Sequence, residues 1–199
     1  LVVPTLNSFL LLDRLVSSLQ CQSYSNWRLL FVDGPSDELH RNWLNQCCSS
    51  DSRCSWVEQS LDQPGIFGAM NIGFSMARPD DWILFWGSDD WASGPDILQH
   101  LTSAIESSDS YADLIVCKAR YVDQFSLALG RISSFQSDCL LNSSQFRRSL
   151  FLGSTPPHQA TLFGPGSRSK LAYYSAGFRL SADLDYFLKL SRHHDLLVQ

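Results

Sequence analysis

Four apolar runs punctuate the first hundred residues, and apolar residues at helical intervals separate or follow them. The runs are "LVVPT" (1–5), "WRLLFVDG" (27–34), "CSWVEQ" (54–59) and "DWILFWGSDD" (81–90). Their length and their Val, Phe and Trp content read as buried strands. Leu11, Leu12, Leu15, Val16 and Leu19 follow helical spacing, with Asn7 or Ser8 as cap. Ser36 opens a second helix, with Asp37 and Glu38 in its first turn and Leu39, Trp43, Leu44 and Cys47 on one face. "GIFGAMNIGFSMA" (65–77) is a third helix, stopped by Pro79, and "PDILQHLTSAIESS" (95–108) a fourth. Alternation of strand and helix demands crossover connections, so a mostly parallel central sheet covered on both faces is predicted. Ligands of such α/β sheets sit at the carboxyl ends of the strands. Thr5, Asp33 and the pair Asp89 and Asp90 fall there, from three different strands.

The second half is more mixed. "ADLIVCKARYVD" (112–123) and "GRISSF" (130–135) read as strands, and "FLGSTPPHQATLF" (151–163) as a loop leading into a strand. "SKLAYY" (169–174) reads as a helical turn and "SADLDYFLKLSRH" (181–193) as a helix. With no repeat, low-complexity tract or linker, residues 1–199 are taken as one domain. Its nucleotide-binding half is 1–100 and its acceptor and catalytic-base half 101–199. The chain begins without Met, directly in a strand, and stops at "LLVQ", so it reads as trimmed at both ends.

Composition narrows the function. A net charge of −5 argues against a nucleic-acid partner, which needs a basic face. No apolar stretch reaches the ~18 residues of a membrane span. The six cysteines show no C-x-x-C spacing, which disfavours structural zinc and fits reduced thiols in the cytoplasm.

"SDD" at 88–90 carries the chemistry. Adjacent carboxylates disfavour each other's ionisation unless a cation or hydrogen-bond donors offset the charge. An isolated Asp-Asp is most often a turn capping the next helix, but this pair ends a buried strand. Neither G-x-G-x-x-G after the first strand nor G-x-x-x-x-G-K-[ST] occurs, so dinucleotide and P-loop binding are disfavoured. A phosphate-bearing ligand would then be neutralised by Mg²⁺ or Mn²⁺ held on the carboxylates.

"VVPTLN", "NWRLLFVDGPSDE", "DQPGIFGAMNIGFSMA", "ILFWGSDDW", "HQATLF" and "GFRLSADLDYFLKL" stand in the order and spacing of family 2 glycosyltransferases. The chain resembles that inverting group, with the GT-A fold, from residue 2 to about residue 192. The resemblance implies a sugar transferred from a UDP-, GDP- or dTDP-linked donor to a glycan or lipid-linked acceptor. That is the chemistry of polysaccharide biosynthesis, in a cytoplasmic chain that is membrane-peripheral at most. By the same resemblance Pro4, Thr5 and Asn7 line the nucleotide pocket. Asp33 contacts base or ribose, Asp89 contacts the ribose or the metal shell, and Asp90 is the metal ligand. His158 and Gln159 line the donor–acceptor cleft, and Asp183 is the general base. Trp91, directly after the metal motif, is placed to stack on the acceptor sugar. Two departures stand out: "VDGPS" has one acid where relatives often have two, and Gly68 stands where they commonly have Asp or Arg.

Helix geometry bears on the base independently. Asp183 and Asp185 lie about 200° apart around a helix, so only one can face a cleft. Asp185 and Lys189 form an i,i+4 pair, which leaves Asp183 for the cleft. A helix cap remains the competing role for Asp183, as a satisfied structural histidine does for His158. At the level of function, the alternative is a non-catalytic nucleotide-sugar or glycan-binding domain of the same fold. A nucleotidyltransferase is weaker, because "PTLNSF" is not a Gly- and Lys-rich phosphate loop.

Overall fold

The computed structural model describes residues 1–107, 112–123, 128–135, 139–178 and 180–199. Strands β1 (Val2–Thr5), β2 (Leu29–Asp33) and β3 (Cys54–Glu58) form a parallel sheet in the order β1-β2-β3. Val2 lies opposite Leu30, and Leu29 opposite Cys54. Helices α1 (Phe9–Gln20), α2 (Glu38–Ser50), α3 (Ile66–Met76) and α4 (Ile97–Ser107) follow as predicted. Ser108, the last residue of the predicted fourth helix, lies outside the described residues.

The fourth predicted strand is corrected. Residues 82–86 make no continuous ladder, only single bridges from Phe85 to Val2 and from Ile83 to Phe163. The Val2 N–H donates to Leu84 O at 2.8 Å and the Trp86 N–H to Val2 O at 3.1 Å. On the other side Ile83 and Phe163 exchange bonds of 3.0 and 2.9 Å. The run therefore joins the parallel sheet to a second one, of order β7-β9-β4-β8. Its strands are β4 (Leu114–Val116), β7 (Leu141–Asn142), β8 (Thr161–Phe163) and β9 (Leu197–Val198). Here β4 pairs parallel with β9 and antiparallel with β8, so the second half is mixed, as predicted. β5 (Arg120–Val122) and β6 (Leu129–Ile132) form a separate antiparallel ribbon. The run 112–123 is thus two strands, not one.

Successive residues of a strand point to opposite faces, and that parity sorts the core. Val2, Val32, Phe85, Leu114 and Phe163 pack against α3, α5 (Ser143–Phe151) and α7 (Ala182–Leu190). Val3, Phe31, Leu84, Ile115 and Leu162 pack against α1, α2 and α4. Both faces are covered, which is why the strands read as unbroken apolar runs.

Three further readings change. α2 is capped by Asp37, whose Oδ1 accepts the His40 N–H at 2.9 Å, and not by Ser36. Its inward face is His40 and Leu44; Leu39 is 66% exposed. Helix α5 was not anticipated, because only Phe146 and Leu150 supply its apolar stripe. Its sequence signal is the capping box, with Gln145 N–H on Asn142 Oδ1 and Asn142 N–H on Gln145 Oε1, each 3.0 Å. The helical turn expected at 169–174 begins earlier, as α6 (Pro165–Lys170), led by a proline whose missing N–H costs nothing there.

Candidate active site

At the carboxyl ends of β1 and β2 the polar residues bind each other. Asp33 and His40 are both 0% exposed. Asp33 Oδ1 accepts hydrogen bonds from Thr5 Oγ1 at 2.9 Å and Ser36 Oγ at 2.7 Å, and His40 Nε2 stands 3.0 Å away. Ser36 Oγ also accepts the Asn7 N–H, and Asn7 Oδ1 accepts the Asp37 N–H. Asn7 adopts a left-handed φ of 49°, which Asn tolerates better than most residues. The loop after β1 is thereby tied to the start of α2. Asp33, expected beside base or ribose, is enclosed, with only Oδ2 lacking a hydrogen-bond partner. Sequence reasoning missed His40, although its i,i+4 spacing to Leu44 on the buried face was a readable signal. Leaving a buried hydrogen-bonding group without its partner costs about 1–3 kcal/mol. Asp33→Ala, which strips the Thr5 and Ser36 hydroxyls of their acceptor, is therefore expected to cost stability of that order in urea denaturation, and a loss under about 0.5 kcal/mol would show that these bonds contribute little.

The acidic turn lies alongside. Ser88 Oγ donates to Pro4 O at 3.3 Å and lies 2.9 Å from Ser8 Oγ, so the turn is anchored to the end of β1 and the start of α1. Asp90 Oδ2 accepts the Gly87 N–H at 2.6 Å. A Cβ on Gly87 would stand 2.9 Å from Asp89 Oδ1 and 3.2 Å from Asp90 Oδ2, so the glycine lets both carboxylates fold back over it. Burial pushes the Asp90 carboxyl up to about 6, opposed by the Gly87 N–H and reinforced by the charge of Asp89. A cation would relieve both effects. Among the described residues no group of three or more His, Cys, Asp or Glu is arranged for a metal, and Asp89 and Asp90 form a carboxylate pair. That suits Mg²⁺ or Mn²⁺, which take one or two carboxylates and complete their shell with water and phosphate oxygens. Trp91, expected to stack on a sugar, has the Arg14 guanidinium 4.7 Å from its ring centroid.

A cavity of about 510 Å³ lies on the second-half side. Asp183, His158 and Gln159 line it together, with Phe67, Met70 and Arg131 among its other walls. Asp183 is the second residue of α7 and its Oδ1 accepts the Leu184 N–H at 2.9 Å; the residue in the cap position is Ser181. Asp185 is occupied elsewhere, accepting from Ser175 Oγ at 2.6 Å and from Lys189 Nζ at 2.9 Å. Burial raises the Asp185 pKa, but those two bonds and the Arg192 charge outweigh it and hold the carboxyl below the ordinary value. Only Asp183 of the two faces the cavity, as helix geometry requires. Pro4, Thr5, Asn7, Asp33, Asp89, Asp90 and Trp91 are not among the residues lining it.

Gly68 has a steric explanation. A Cβ there would fall 2.0 Å from Gln63 O, because the loop before α3 folds over it. Gln59 Nε2 holds that loop by donating to Gln63 O at 2.6 Å and Gly65 O at 2.7 Å. Gly68→Ala is expected to destabilise by about 1–3 kcal/mol, the range for overpacking, in thermal denaturation. An unchanged Tm would mean that the loop yields freely.

The sequence match decides the family. A model of the family "Glycosyl transferase family 2" matches residues 1–172. The chain belongs to glycosyl transferase family 2. It is 27% identical to a PGL/p-HBAD biosynthesis glycosyltransferase of Mycobacterium bovis over 193 residues, covering 95% of this chain and 68% of that protein. Its fold matches Staphylococcus aureus TarS in complex with UDP-GlcNAc, with a TM-score of 0.75 and 17% identity, over 100% of this chain and 54% of that one. It also matches the Pyrobaculum calidifontis mannosyltransferase PcManGT in complex with GDP-Man and Mn²⁺, with a TM-score of 0.66 and 13% identity, over 100% and 55%. The chain thus spans about half the length of these solved structures. The glycosyltransferase domain has the GT-A architecture. His158 and Gln159 fall inside the matched range, and Asp183 lies beyond it. No helix among the described residues is long and apolar enough to cross a membrane.

Proposed function

We propose that this chain is the catalytic domain of a metal-dependent inverting glycosyltransferase using a UDP-, GDP- or dTDP-linked sugar. Its acceptor is a hydroxyl of a glycan or lipid-linked glycan, and its setting is the cytoplasm or the membrane periphery. The carrying observation is Asp183, open to a cavity while Asp185, two residues on, is held by Ser175 and Lys189. As the acceptor oxygen bonds to the anomeric carbon, Asp183 takes its proton. The bond from that carbon to the nucleoside diphosphate breaks on the opposite face, which inverts the configuration. Asp90, with Asp89, would hold a divalent cation, which when bound offsets charge on the diphosphate. Asn7 and the Ser88 turn shape the nucleotide side, and the deeply buried Asp33 keeps that side rigid. Residues 1–199 act as one domain, with donor and acceptor halves.

The test is nucleoside-diphosphate release from a panel of nucleotide sugars with Mn²⁺, with and without candidate acceptors, and the anomeric configuration of product by NMR. Release with an inverted product is expected. Binding without release would favour the non-catalytic reading, for which the single acid after β2 and Gly68 leave room.

A further inference from the structure

His158 sits in a single 3₁₀ turn (His158–Ala160) before β8, with its ring against Phe85, Phe163 and Phe187. Its Nε2 lies 2.6 Å from the Tyr174 hydroxyl. Tyr174 is 1% exposed, and its backbone is clamped by Asn71, which accepts the Tyr174 N–H at 2.6 Å and donates to its carbonyl at 3.1 Å. A buried hydroxyl must donate its proton to something. Among the described residues His158 Nε2 is the hydroxyl's hydrogen-bond partner, so the phenol donates and Nε2 accepts. An imidazole that accepts at Nε2 carries its proton on Nδ1. Nδ1 makes no hydrogen bond among the described residues and is not among the enclosed unpaired atoms, whereas His158 lines the cavity beside Asp183.

We propose that Tyr174 is a positioning residue that holds His158 as the neutral Nδ1–H tautomer, so that the ring offers an N–H donor to a substrate hydroxyl oxygen in the cavity. This rests on the reading of the cavity as the transfer site. Two other features agree. Burial lowers the His158 pKa to about 4, against the opposing charge of Asp183, so the ring is neutral near pH 7. Burial, with smaller contributions from Tyr186 and Asp183, keeps the Tyr174 phenol protonated. A neutral Nδ1–H donor next to Asp183 orients a hydroxyl without competing for its proton.

The test is long-range ¹H–¹⁵N correlation on histidine-labelled protein at pH 7, with His158 assigned by its absence from His158→Asn. A protonated Nδ1 and an unprotonated Nε2 are expected, with that preference lost in Tyr174→Phe. Protonation at Nε2 in the parent, or an unchanged pattern in Tyr174→Phe, overturns the proposal. Methyl pyranosides of gluco, galacto and manno configuration then serve as hydroxyl probes. His158→Asn, whose amide stands near the Nδ1 position, is expected to bind the preferred probe roughly fivefold better than His158→Gln, the worth of about one neutral hydrogen bond. Equal or reversed affinities overturn the substrate contact. Absence of sugar transfer by the parent would count against the glycosyltransferase reading, while the tautomer spectrum would still decide this one.

Discussion

Asp183→Asn is expected to lower turnover by roughly 10²–10⁴-fold, the range for losing a general base, with donor affinity nearly unchanged. The amide keeps the size of the side chain and can still accept the Leu184 N–H, so α7 begins as before. It cannot take a proton at neutral pH. The base acts on the acceptor hydroxyl, so donor titration should not register the change. Asp185→Asn is the control. It weakens the bonds to Ser175 and Lys189, a partly exposed pair worth at most about 1 kcal/mol, and turnover should stay within a few-fold of the parent. Steady-state transfer and donor titration on both variants decide the matter. An inactive Asp185→Asn beside an active Asp183→Asn would reverse the assignment, and two active variants would place the base elsewhere.

Asp90→Ala should abolish the divalent-ion dependence of donor binding. Affinity for a nucleoside diphosphate should fall far more than affinity for the bare nucleoside, because the cation acts at the phosphates. The pH dependence follows from the raised carboxyl. Asp90 titrates near 6 in the fold, against an ordinary 3.8, so the folded chain holds this proton more tightly than the unfolded one. Its contribution to stability is therefore fully present below about pH 4 and lost as pH rises through about 6. Cation binding needs the ionised group, so metal-dependent donor affinity should weaken as pH falls below about 6. Calorimetry with UDP and uridine, each with and without Mn²⁺, at pH 5 and 7.5, provides the check. Equal losses for UDP and uridine would remove Asp90 from the metal site.

The strand ends show where sequence was informative. Unbroken apolar runs alternating with helical periodicity were enough to predict the parallel sheet, because burial on both faces leaves no other reading. The same pattern put Thr5, Asp33 and the Asp89–Asp90 pair at one end of the sheet. It could not reveal that Asp33 would turn inward to Thr5, Ser36 and His40, since that depends on where α2 packs back on the sheet. Periodicity also failed for residues 82–86. They contact β1 and β8 at the same time, and β8 arrives from nearly eighty residues away.

Local spacing by itself determined that Asp183 and Asp185 face apart and that Lys189 can reach Asp185, because helix geometry is set within a few residues. The bond between the Tyr174 hydroxyl and His158 was decided only by the tertiary structure. Their partnership follows from both packing against Phe85 at the junction of the two sheets, with Asn71 of α3 clamping the Tyr174 backbone. Contacts of that kind are fixed by how layers close over one another. No periodicity in a single segment encodes them.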